Sequence, residues 1–329
     1  MTRLLASAGP ATAPRTGART RRRAHDRRIA AGLLTALAVA LFVTDLRLQP
    51  GGEHATRTVD DLGQLAGGAV LAASAAFRAR RSTGRLRLSW ALIAVGAAGW
   101  AAGQTAWSVY ELVLSVQTPF PSLADAGYLL LPTLGLAGLL VRPSQAFTGR
   151  GRLRVGLDIL LVLASLFTIS WATAFGQVYR GGADTLAARL VGLAYPAGDV
   201  ALLTVVVIVL AYANAGNRAG LLFLGGGLGA FAVGDSGFAY LTSNGSYATG
   251  NLVDVFWVVG FLLMAWAAAL DRSGSRQRVA GRSYLPVVLP FVPTLIGLGV
   301  VAGQFGSTGM DAVLLAAAVM MVVVLLVRQ

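Results

Sequence analysis

Aspartate side chains near the ends of apolar segments are the residues of this sequence best suited to bind a proton or a small ligand. A carboxylate takes up protons and accepts hydrogen bonds, and an ionisable group inside a membrane-spanning helix is costly enough to suggest a function. On this ground Asp199 and Asp235 are candidate ligand- or proton-binding residues. For Asp235 the alternative is a structural hydrogen bond to a glutamine of a neighbouring helix, because polar side chains hold membrane helices together.

A second candidate site combines Gln104, Trp107 and Tyr110 with Asp125. The first three residues are spaced by three positions, so they share one face of a helix. With Asp125 at the start of the next helix, they predict an outward-facing pocket that contains an amide, two aromatic rings and a carboxylate. The alternative is an aromatic belt at the membrane surface, where tryptophan and tyrosine are enriched in membrane proteins.

Further aspartates are interpreted as structural caps at helix N-termini: Asp61, Asp254 and Asp311. In each case a hydrogen-bonding residue precedes the aspartate by three positions, which is the spacing of a capping box. The carboxylate also lies at the positive end of the helix dipole. Before Asp199, Pro196 takes the place of the capping residue and predicts that a helix begins there. The pairs with capping spacing are Thr58/Asp61, Ser122/Asp125, Asn251/Asp254 and Thr308/Asp311.

Several classes of function are excluded by composition. The chain has no cysteine, and its only histidines are His25 and His54, so a thiolate metal site or a histidine cluster is not expected. We predict no catalytic residues, no metal and no cofactor, and therefore a protein that is not an enzyme. The net charge of +13 comes largely from an arginine-rich N-terminal tail without interleaved aromatic residues, which argues against nucleic-acid binding.

The elements that must position these residues are membrane-spanning helices. Hydrophobic residues make up 56% of the chain and charged residues 12%, whereas soluble domains have about 25% charged residues. The apolar residues recur in blocks close to the roughly 20 residues that cross a bilayer. The sequence predicts an all-α, polytopic transmembrane bundle of about ten helices over residues 29–329, after a disordered arginine-rich tail over 1–28, with an amphipathic approach helix at 185–195. The predicted spans are 29–46, 62–79, 88–111, 122–141, 155–176, 194–213, 219–241, 251–270, 285–304 and 309–327.

The ten spans are interpreted as five repeated helical hairpins, in which a polar pair near the end of one helix precedes an aspartate at the start of the next. Nearly all arginines fall on one side of this arrangement. Because arginine-rich segments stay in the cytoplasm, both termini are predicted to be cytoplasmic in a cell-membrane protein. The polar pairs are Thr44-Asp45, Gly103-Gln104, Gly176-Gln177, Gly234-Asp235 and Gly303-Gln304, and the arginines on the opposite side are Arg47, Arg57, Arg180 and Arg189.

Two segments resemble a known membrane region. The first is Thr118-Pro119-Phe120-Pro121-Ser122-Leu123-Ala124-Asp125-Ala126-Gly127-Tyr128-Leu129, and the second runs from Ala232-Val233-Gly234-Asp235 through Tyr240 and then includes Asp254-Val255-Phe256-Trp257. Both are similar to the multi-pass N-terminal sensor region that precedes GGDEF and EAL domains in actinobacterial cyclic-di-GMP signalling proteins. The chain contains neither a GGDEF nor an EAL signature, so the resemblance implies only the sensory half of such a protein and no catalysis. A diguanylate cyclase domain beyond residue 329 would complete the family's pattern.

The leading functional hypothesis is a non-catalytic sensory or signalling input module that relays an envelope or membrane cue through its C-terminal helix. Its expected partners are the lipid bilayer, a cytoplasmic cyclic-di-GMP signalling domain in cis or in trans, and further copies of the chain in a homo-oligomer. The alternative is a transporter of small solutes or ions. Transporters usually place polar groups near the membrane midplane at broken helices, whereas the polar residues here gather towards one end of the predicted helices.

Overall fold

The computed structural model describes residues 16–143, 152–213, 215–271, 284–305 and 311–328. These residues form ten long helical segments and no strand, and eight of the segments are long and apolar enough to cross a membrane. The prediction of an all-α, multi-pass membrane bundle is therefore confirmed. The segments are α1 (Thr16–Leu48), α2 (Gly52–Arg80), α3 (Gly84–Ser108, then Val109–Val113), α4 (Leu123–Tyr128 and Leu130–Val141), α5 (Arg152–Ser170, Trp171–Phe175 and Gly176–Gly181), α6 (Leu186–Ala211), α7 (Ala215–Ser243), α8 (Leu252–Asp254 and Val255–Leu270), α9 (Leu285–Val288 and Phe291–Phe305) and α10 (Ala312–Arg328).

Two of the ten segments, α2 and α10, are too polar or too short to be candidate membrane spans on their own. The helix α2 covers the predicted span 62–79 but contains Asp60, Asp61 and Gln64, which are buried inside the protein. The helix α10 is apolar but has only 17 residues. Both pack against other helices, so the bundle includes them although their composition or length is unlike that of a free-standing span.

Three predicted boundaries near helix starts are wrong. The helix α1 begins at Thr16, so residues 16–28 are helical and not part of a disordered tail, while residues 1–15 lie outside the described residues. The helix α2 begins at Gly52, where an i,i+4 ion pair between Glu53 and Arg57 supports a polar first turn. The predicted approach helix 185–195 is the first part of a continuous α6, whose N-cap is Thr185.

Residues 1–41 and 42–329 form separate compact units, and the site described below lies in the second. In that unit α2 packs between α3 and α8, α4 packs on α3 and α6, and α7 packs on α6 and α8. A second group consists of α9 and α10 packed on α5, which in turn contacts α6. The chain therefore places six helices, α2, α3, α4, α6, α7 and α8, around one core.

The centre of this core is an aromatic cluster. The ring centroids of Trp100 and Phe261 are 4.4 Å apart, those of Phe231 and Phe261 are 4.7 Å apart, and those of Trp100 and Tyr128 are 4.9 Å apart. All the ring pairs are tilted or edge-on, which is the favoured arrangement of aromatic contacts. The cluster joins α3, α4, α7 and α8 next to the polar residues of the candidate site.

Glycine lets α3 and α4 approach at their backbones. A Cβ atom on Gly103 would lie 2.5 Å from the carbonyl oxygen of Ala124, and one on Gly127 would lie 2.5 Å from the Cα of Gly103. Small residues at a membrane helix interface permit this close packing. The approach brings the next residue of α3, Gln104, within reach of α4.

The described helix ends formed by residues 78–87, 141–143, 152–154, 211–213, 215–218, 270–271, 284–285 and 328 are called the arginine end of the bundle, and the opposite ends the acidic end. The arginine end contains two buried carboxylates that sequence analysis did not select as site residues. Asp271 accepts from Arg142 at 2.9 Å and from the indole N–H of Trp90 at 2.6 Å. Asp158 accepts from Arg328 and from the hydroxyl of Tyr212.

The last helix is tied to α5 at both of its ends. At the arginine end Arg328 pairs with Asp158, and both side chains are almost completely buried. At the acidic end Asp311 accepts from the indole N–H of Trp171 at 2.8 Å and from Arg180 at 3.0 Å. The position of α10 along α5 is therefore held by ion pairs about a membrane thickness apart, since 17 residues of helix extend for roughly 25 Å.

The hydrogen bond from Trp171, the backbone N–H of Val313 and the charge of Arg180 lower the pKa of Asp311 below its usual value. A carboxyl whose pKa is lower in the folded state stabilises the fold above its unfolded pKa of about 3.9, and this stabilisation is lost as the pH falls through the folded value. We expect Asp311→Asn to lower the melting temperature at neutral pH and to have a smaller effect below pH of about 3.9. Melting curves of both proteins across this range check the prediction. A matched change at the exposed Asp184, Asp184→Asn, should leave the melting temperature unchanged, and an Asp311→Asn effect that is independent of pH would contradict it.

Candidate functional site

Carboxyl groups from six helices or their adjoining loops lie at the acidic end of the bundle. We call this set and its hydroxyl and amide partners the acidic cluster. The fixed hydrogen-bond partners differ from one carboxyl to the next, so the cluster consists of several linked sites and not one shared pocket. Its carboxyl groups are Asp60, Asp61, Glu111, Asp125, Asp199, Asp235 and Asp254, and their partners are Gln64, Gln104, Trp107, Tyr195, Tyr247, Thr249 and Trp257. Tyr128 joins the cluster through Gln104.

Gln104 joins three helices at the centre of the cluster. Its amide nitrogen donates to Asp61 of α2 at 2.9 Å, and its amide oxygen accepts from the hydroxyl of Tyr128 on α4 at 2.6 Å. The side chain is only 2% exposed, so both hydrogen bonds are shielded from water. The sequence-based selection of Gln104 therefore falls on a buried residue that links α2, α3 and α4.

Asp61 is not a helix cap, contrary to the prediction. Because α2 begins at Gly52, Asp61 lies in the third turn of the helix, and Thr58 donates to the carbonyl of His54 instead. The carboxyl of Asp61 is fully buried and accepts from Gln104. The capping spacing was misleading here because the helix continues through the polar residues that precede it.

Asp125 is a helix cap and also bonds to a second helix. It forms a capping box with Ser122, whose backbone N–H donates to Asp125 at 2.7 Å. Its other carboxyl oxygen accepts from the hydroxyl of Tyr195 on α6 at 2.7 Å. The cap at the start of α4 thus also connects α4 to α6.

The predicted pocket of Gln104, Trp107, Tyr110 and Asp125 is only partly assembled. The indole N–H of Trp107 donates to Glu111 at 3.0 Å, one helical turn further along α3. Tyr110 is half-buried in the π-helical turn that ends α3. Within the described residues no hydrogen bond joins Trp107 or Tyr110 to Asp125, so the structure places the two aromatic residues beside Glu111.

Asp199 and Asp235 form a carboxyl pair between α6 and α7. The two carboxyl groups lie next to each other, and the indole N–H of Trp257 on α8 donates to Asp235 at 2.7 Å. Asp199 lies in the interior of α6 and not at a helix start, because Pro196 lies inside a continuous helix. Asp235 therefore accepts from an indole and lies beside a carboxyl, in place of the expected bond to a glutamine.

Asp254 accepts hydrogen bonds from two groups that precede its helix. The backbone N–H of Gly250 donates at 3.0 Å and the hydroxyl of Tyr247 at 3.1 Å, while Asn251 caps the same helix start. Burial, with the nearby charge of Asp254, raises the pKa of the Tyr247 hydroxyl well above its usual value, so it remains a donor. Asp254 thus lies at a capped helix start, as predicted. It also contacts Asp60 of α2, which was not foreseen.

The remaining predicted cap, Asp311, is itself the N-cap residue of α10. Its carboxyl accepts from the backbone N–H of Val313 at 2.9 Å, because α10 begins at Ala312. The proposed capping partner, Thr308, lies outside the described residues. Asp311 is therefore a cap, but at the first position of the motif and not at the fourth.

Neither a protein-family model, nor a curated protein, nor a solved structure matches this chain. The chemistry of the site consequently depends on the residues themselves. Within the described part of the chain no arginine forms an ion pair with the seven carboxyl groups except Arg57, which lies 3.8 Å from Glu111. No group of three histidine, cysteine, aspartate or glutamate residues there is arranged to hold a metal ion.

Four carboxyl groups of the cluster form two pairs in which each carboxyl lies beside another carboxyl and not beside a cation of the described residues. Like charges that lie this close cannot both be ionised at low cost, so such a pair favours one shared proton. The pairs are Asp60 with Asp254 across α2 and α8, and Asp199 with Asp235 across α6 and α7. The arrangement can therefore take up and release protons at helix interfaces.

Sequence analysis did not select Asp60, Glu111, Tyr195, Tyr247 or Trp257. Two local signals were available. Asp60 and Asp61 are adjacent, so they must face different neighbours on a helix, and Trp257 follows Asp254 by three positions on the same helix face. The partner of Tyr195, Asp125, and one partner of Glu111, Thr249, lie far away in the sequence and had no local signal.

Proposed function

We propose that the chain is a non-catalytic sensory module of the cell membrane, with the acidic cluster as its input and α10 as its output helix. In this proposal both termini are cytoplasmic, as the arginine distribution predicts. The observation that carries the proposal is the pair of ionic contacts that tie α10 to α5, Asp311 with Arg180 and Asp158 with Arg328. A displacement of α5 would move both ends of α10 together.

The acidic cluster has a direct connection to α5. The hydroxyl of Ser243 at the end of α7 bonds to Gln177 on α5 at 3.3 Å, and α7 also contains Asp235. A change in the carboxyl pair at Asp235 would thus alter the position of α7 against α5. The route runs from α7 through α5 to α10, whose last residues lie at the arginine end.

The output partner of such a module is a cytoplasmic signalling domain. The resemblance to the membrane regions of cyclic-di-GMP signalling proteins supports a domain of that class, in cis or in trans. A homo-oligomer would let two copies of α10 act on a pair of such domains. The lipid bilayer is a partner that the structure supports directly, because large apolar side chains such as Leu33, Val95 and Leu222 are exposed on the helices.

Transport is the second candidate function, and the position of Asp199 favours it. The residue lies near the middle of α6, three positions after Pro196. An ionisable residue inside a membrane helix and a proline-interrupted helix are both frequent at the substrate or ion sites of transporters. In that case the Asp199–Asp235 pair would be loaded with a proton on one side and emptied on the other.

Paired spin labels distinguish the two functions in the intact chain. The protein has no cysteine, so labels attach only to cysteines introduced by Leu326→Cys with either Leu88→Cys or Leu153→Cys. These three residues are exposed and lie near the arginine ends of α10, α3 and α5. The distance between labels is measured in nanodiscs at neutral and at mildly acidic pH, and in phosphatidylcholine with and without phosphatidylglycerol.

A sensory module should change the distance between α10 and α3 under one of these conditions, while the matched distance between α10 and α5 stays constant. Proteoliposomes with a pH-sensitive dye in the lumen provide the second measurement. Unchanged label distances together with protein-dependent proton uptake that Asp199→Asn abolishes would overturn the sensory proposal in favour of transport.

A further inference from the structure

One carboxyl oxygen of the Asp60–Asp254 pair receives no hydrogen bond from the described residues. Asp60 is fully buried, and its Oδ2 accepts from Gln64 at 3.0 Å, but its Oδ1 has no hydrogen-bond partner among the described residues. Both oxygens of Asp254 already accept, from Tyr247 and from Gly250. Asp60 contacts Asp254, so an acceptor faces an acceptor. A proton between the two carboxyls would make the missing hydrogen bond.

A buried hydroxyl beside the pair is also without a partner. Thr56 lies one helical turn before Asp60 on the same face of α2 and is only 2% exposed, and its Oγ1 makes no hydrogen bond in the part of the chain that the structure describes. A Cβ atom on Gly250 would lie 3.0 Å from the Thr56 methyl group, so Thr56 lies beside the residue that donates to Asp254. Buried hydroxyls are nearly always paired, which indicates that Thr56 donates in a second state of the site.

The groups around the pair are acidic or neutral. Asp61 follows Asp60 on α2, Glu111 faces the same region from α3, and Tyr247 is held as a neutral donor. Arg57 of the same helix pairs with Glu53 and Glu111 in the described part of the chain, and no ion pair reaches Asp60 or Asp254 there. Two negative charges on the pair would therefore lack a compensating cation, which favours one proton at this position.

We propose that Asp60 and Asp254 form a reversible proton-binding site that is the input of the sensory module. In the loaded state the proton is bonded to Oδ1 of Asp60 and donated to Asp254. On release the O–H bond breaks, the proton passes to bulk water, and the hydroxyl of Thr56 donates to the Asp60 carboxylate. The ionised carboxyls then repel each other across α2 and α8. This inference rests on the proposed sensory function, because it names the ligand of its input.

Infrared difference spectroscopy of the full chain in nanodiscs tests the site directly. A step from neutral to alkaline pH should remove a C=O stretching band of a protonated carboxyl from the spectrum. The same component should be missing in Asp60→Asn and in Asp254→Asn, and it should remain in Asp184→Asn, a change at an exposed aspartate of the acidic end. The asparagine variants keep the fold testable because an amide can donate to the remaining carboxylate.

Thr56→Val tests the role of Thr56 through the pH at which the protonated-carboxyl band disappears. A merely structural role of Thr56 would leave this pH unchanged. Valine removes the donor to the ionised form, so the band should disappear at a higher pH, by roughly one to two pH units, the equivalent of one hydrogen bond to a charged group. Thr58→Val is the matched control, since the hydroxyl of Thr58 already bonds to the carbonyl of His54. A midpoint that is the same in Thr56→Val and in the parent protein would overturn the role of Thr56.

The proton-binding site is overturned if the parent protein has no protonated-carboxyl band at any pH, or if both asparagine variants retain it. It is also overturned if sodium chloride, but not choline chloride, raises the melting temperature of the parent protein and not of Asp60→Asn, because a metal cation then occupies the site. None of these results bears on the distances between the labels on α10, so the sensory function is tested separately. Conversely, an intact proton band with fixed label distances under every condition overturns the sensory function alone.

Discussion

Replacing Asp271 by alanine should destabilise the bundle by about 3–5 kcal/mol, the usual cost of leaving a buried charge without its partner. The carboxylate is 1% exposed, accepts from Arg142 at 2.9 Å and lies 3.8 Å from Arg78. It also accepts from the indole N–H of Trp90, which is itself buried in the core. Its loss deprives Arg142, which is only 4% exposed, of a partner that compensates its charge. The free energy of unfolding in mixed micelles, obtained by titration with sodium dodecyl sulfate, measures the effect.

Asp271→Asn provides the comparison that separates charge from shape. Asparagine keeps an acceptor for Trp90 but removes the negative charge beside Arg142, so it should be less harmful than alanine. Asp184→Ala, at an exposed position, should change the free energy of unfolding by no more than about 0.5 kcal/mol. Equal stability of Asp271→Ala and the parent protein would show that water reaches Arg142 and that the pair is not buried in solution.

The large-scale architecture was predictable from the sequence because it depends on long apolar blocks. Ten blocks correspond to ten helical segments, and their order follows from the chain. Their first residues were less predictable. The polar residues before Asp61 look like a loop by composition, yet the exposed pair Glu53–Arg57 makes them a stable helical turn. Pro196 resembles a helix start, but it lies inside α6, since membrane helices tolerate proline where neighbouring groups satisfy the freed backbone carbonyl.

The partners of the acidic residues could not be predicted, because they depend on the rotation of each helix about its axis. Asp60 and Asp61 are neighbours in sequence, yet one contacts α8 and the other α3. Apolar residues all around a membrane helix give no pattern from which this rotation can be derived. The partners of Asp158 and Asp271 are also remote, since Arg328 and Trp90 are 170 and 181 positions away from them. Their position among arginines was the one available signal.

Removal of Asp158 should release the arginine end of α10 from α5, and this change tests the output helix as well as the stability. The side chains of Asp158 and Arg328 are 0% and 3% exposed, and Tyr212 donates to the same carboxylate at 2.7 Å. Asp158→Ala is expected to lower the free energy of unfolding by about 3–5 kcal/mol, since it leaves Arg328 charged among apolar groups such as the ring of Phe291, 4.5 Å away.

The double variant Asp158→Leu/Arg328→Met decides how this loss arises. Both charges are absent there, so most of the stability should return, because well-packed apolar residues often replace a buried ion pair without a net cost. The tie between α10 and α5 should nevertheless remain broken. In spin-labelled protein the distance between the arginine ends of these helices should therefore broaden in Asp158→Ala and in the double variant, but not in Arg154→Gln, a change at an exposed arginine of α5. A double variant that is stable yet keeps the narrow distance would show that apolar packing alone positions α10, and that the ion pair has no part in transmitting a movement of α5.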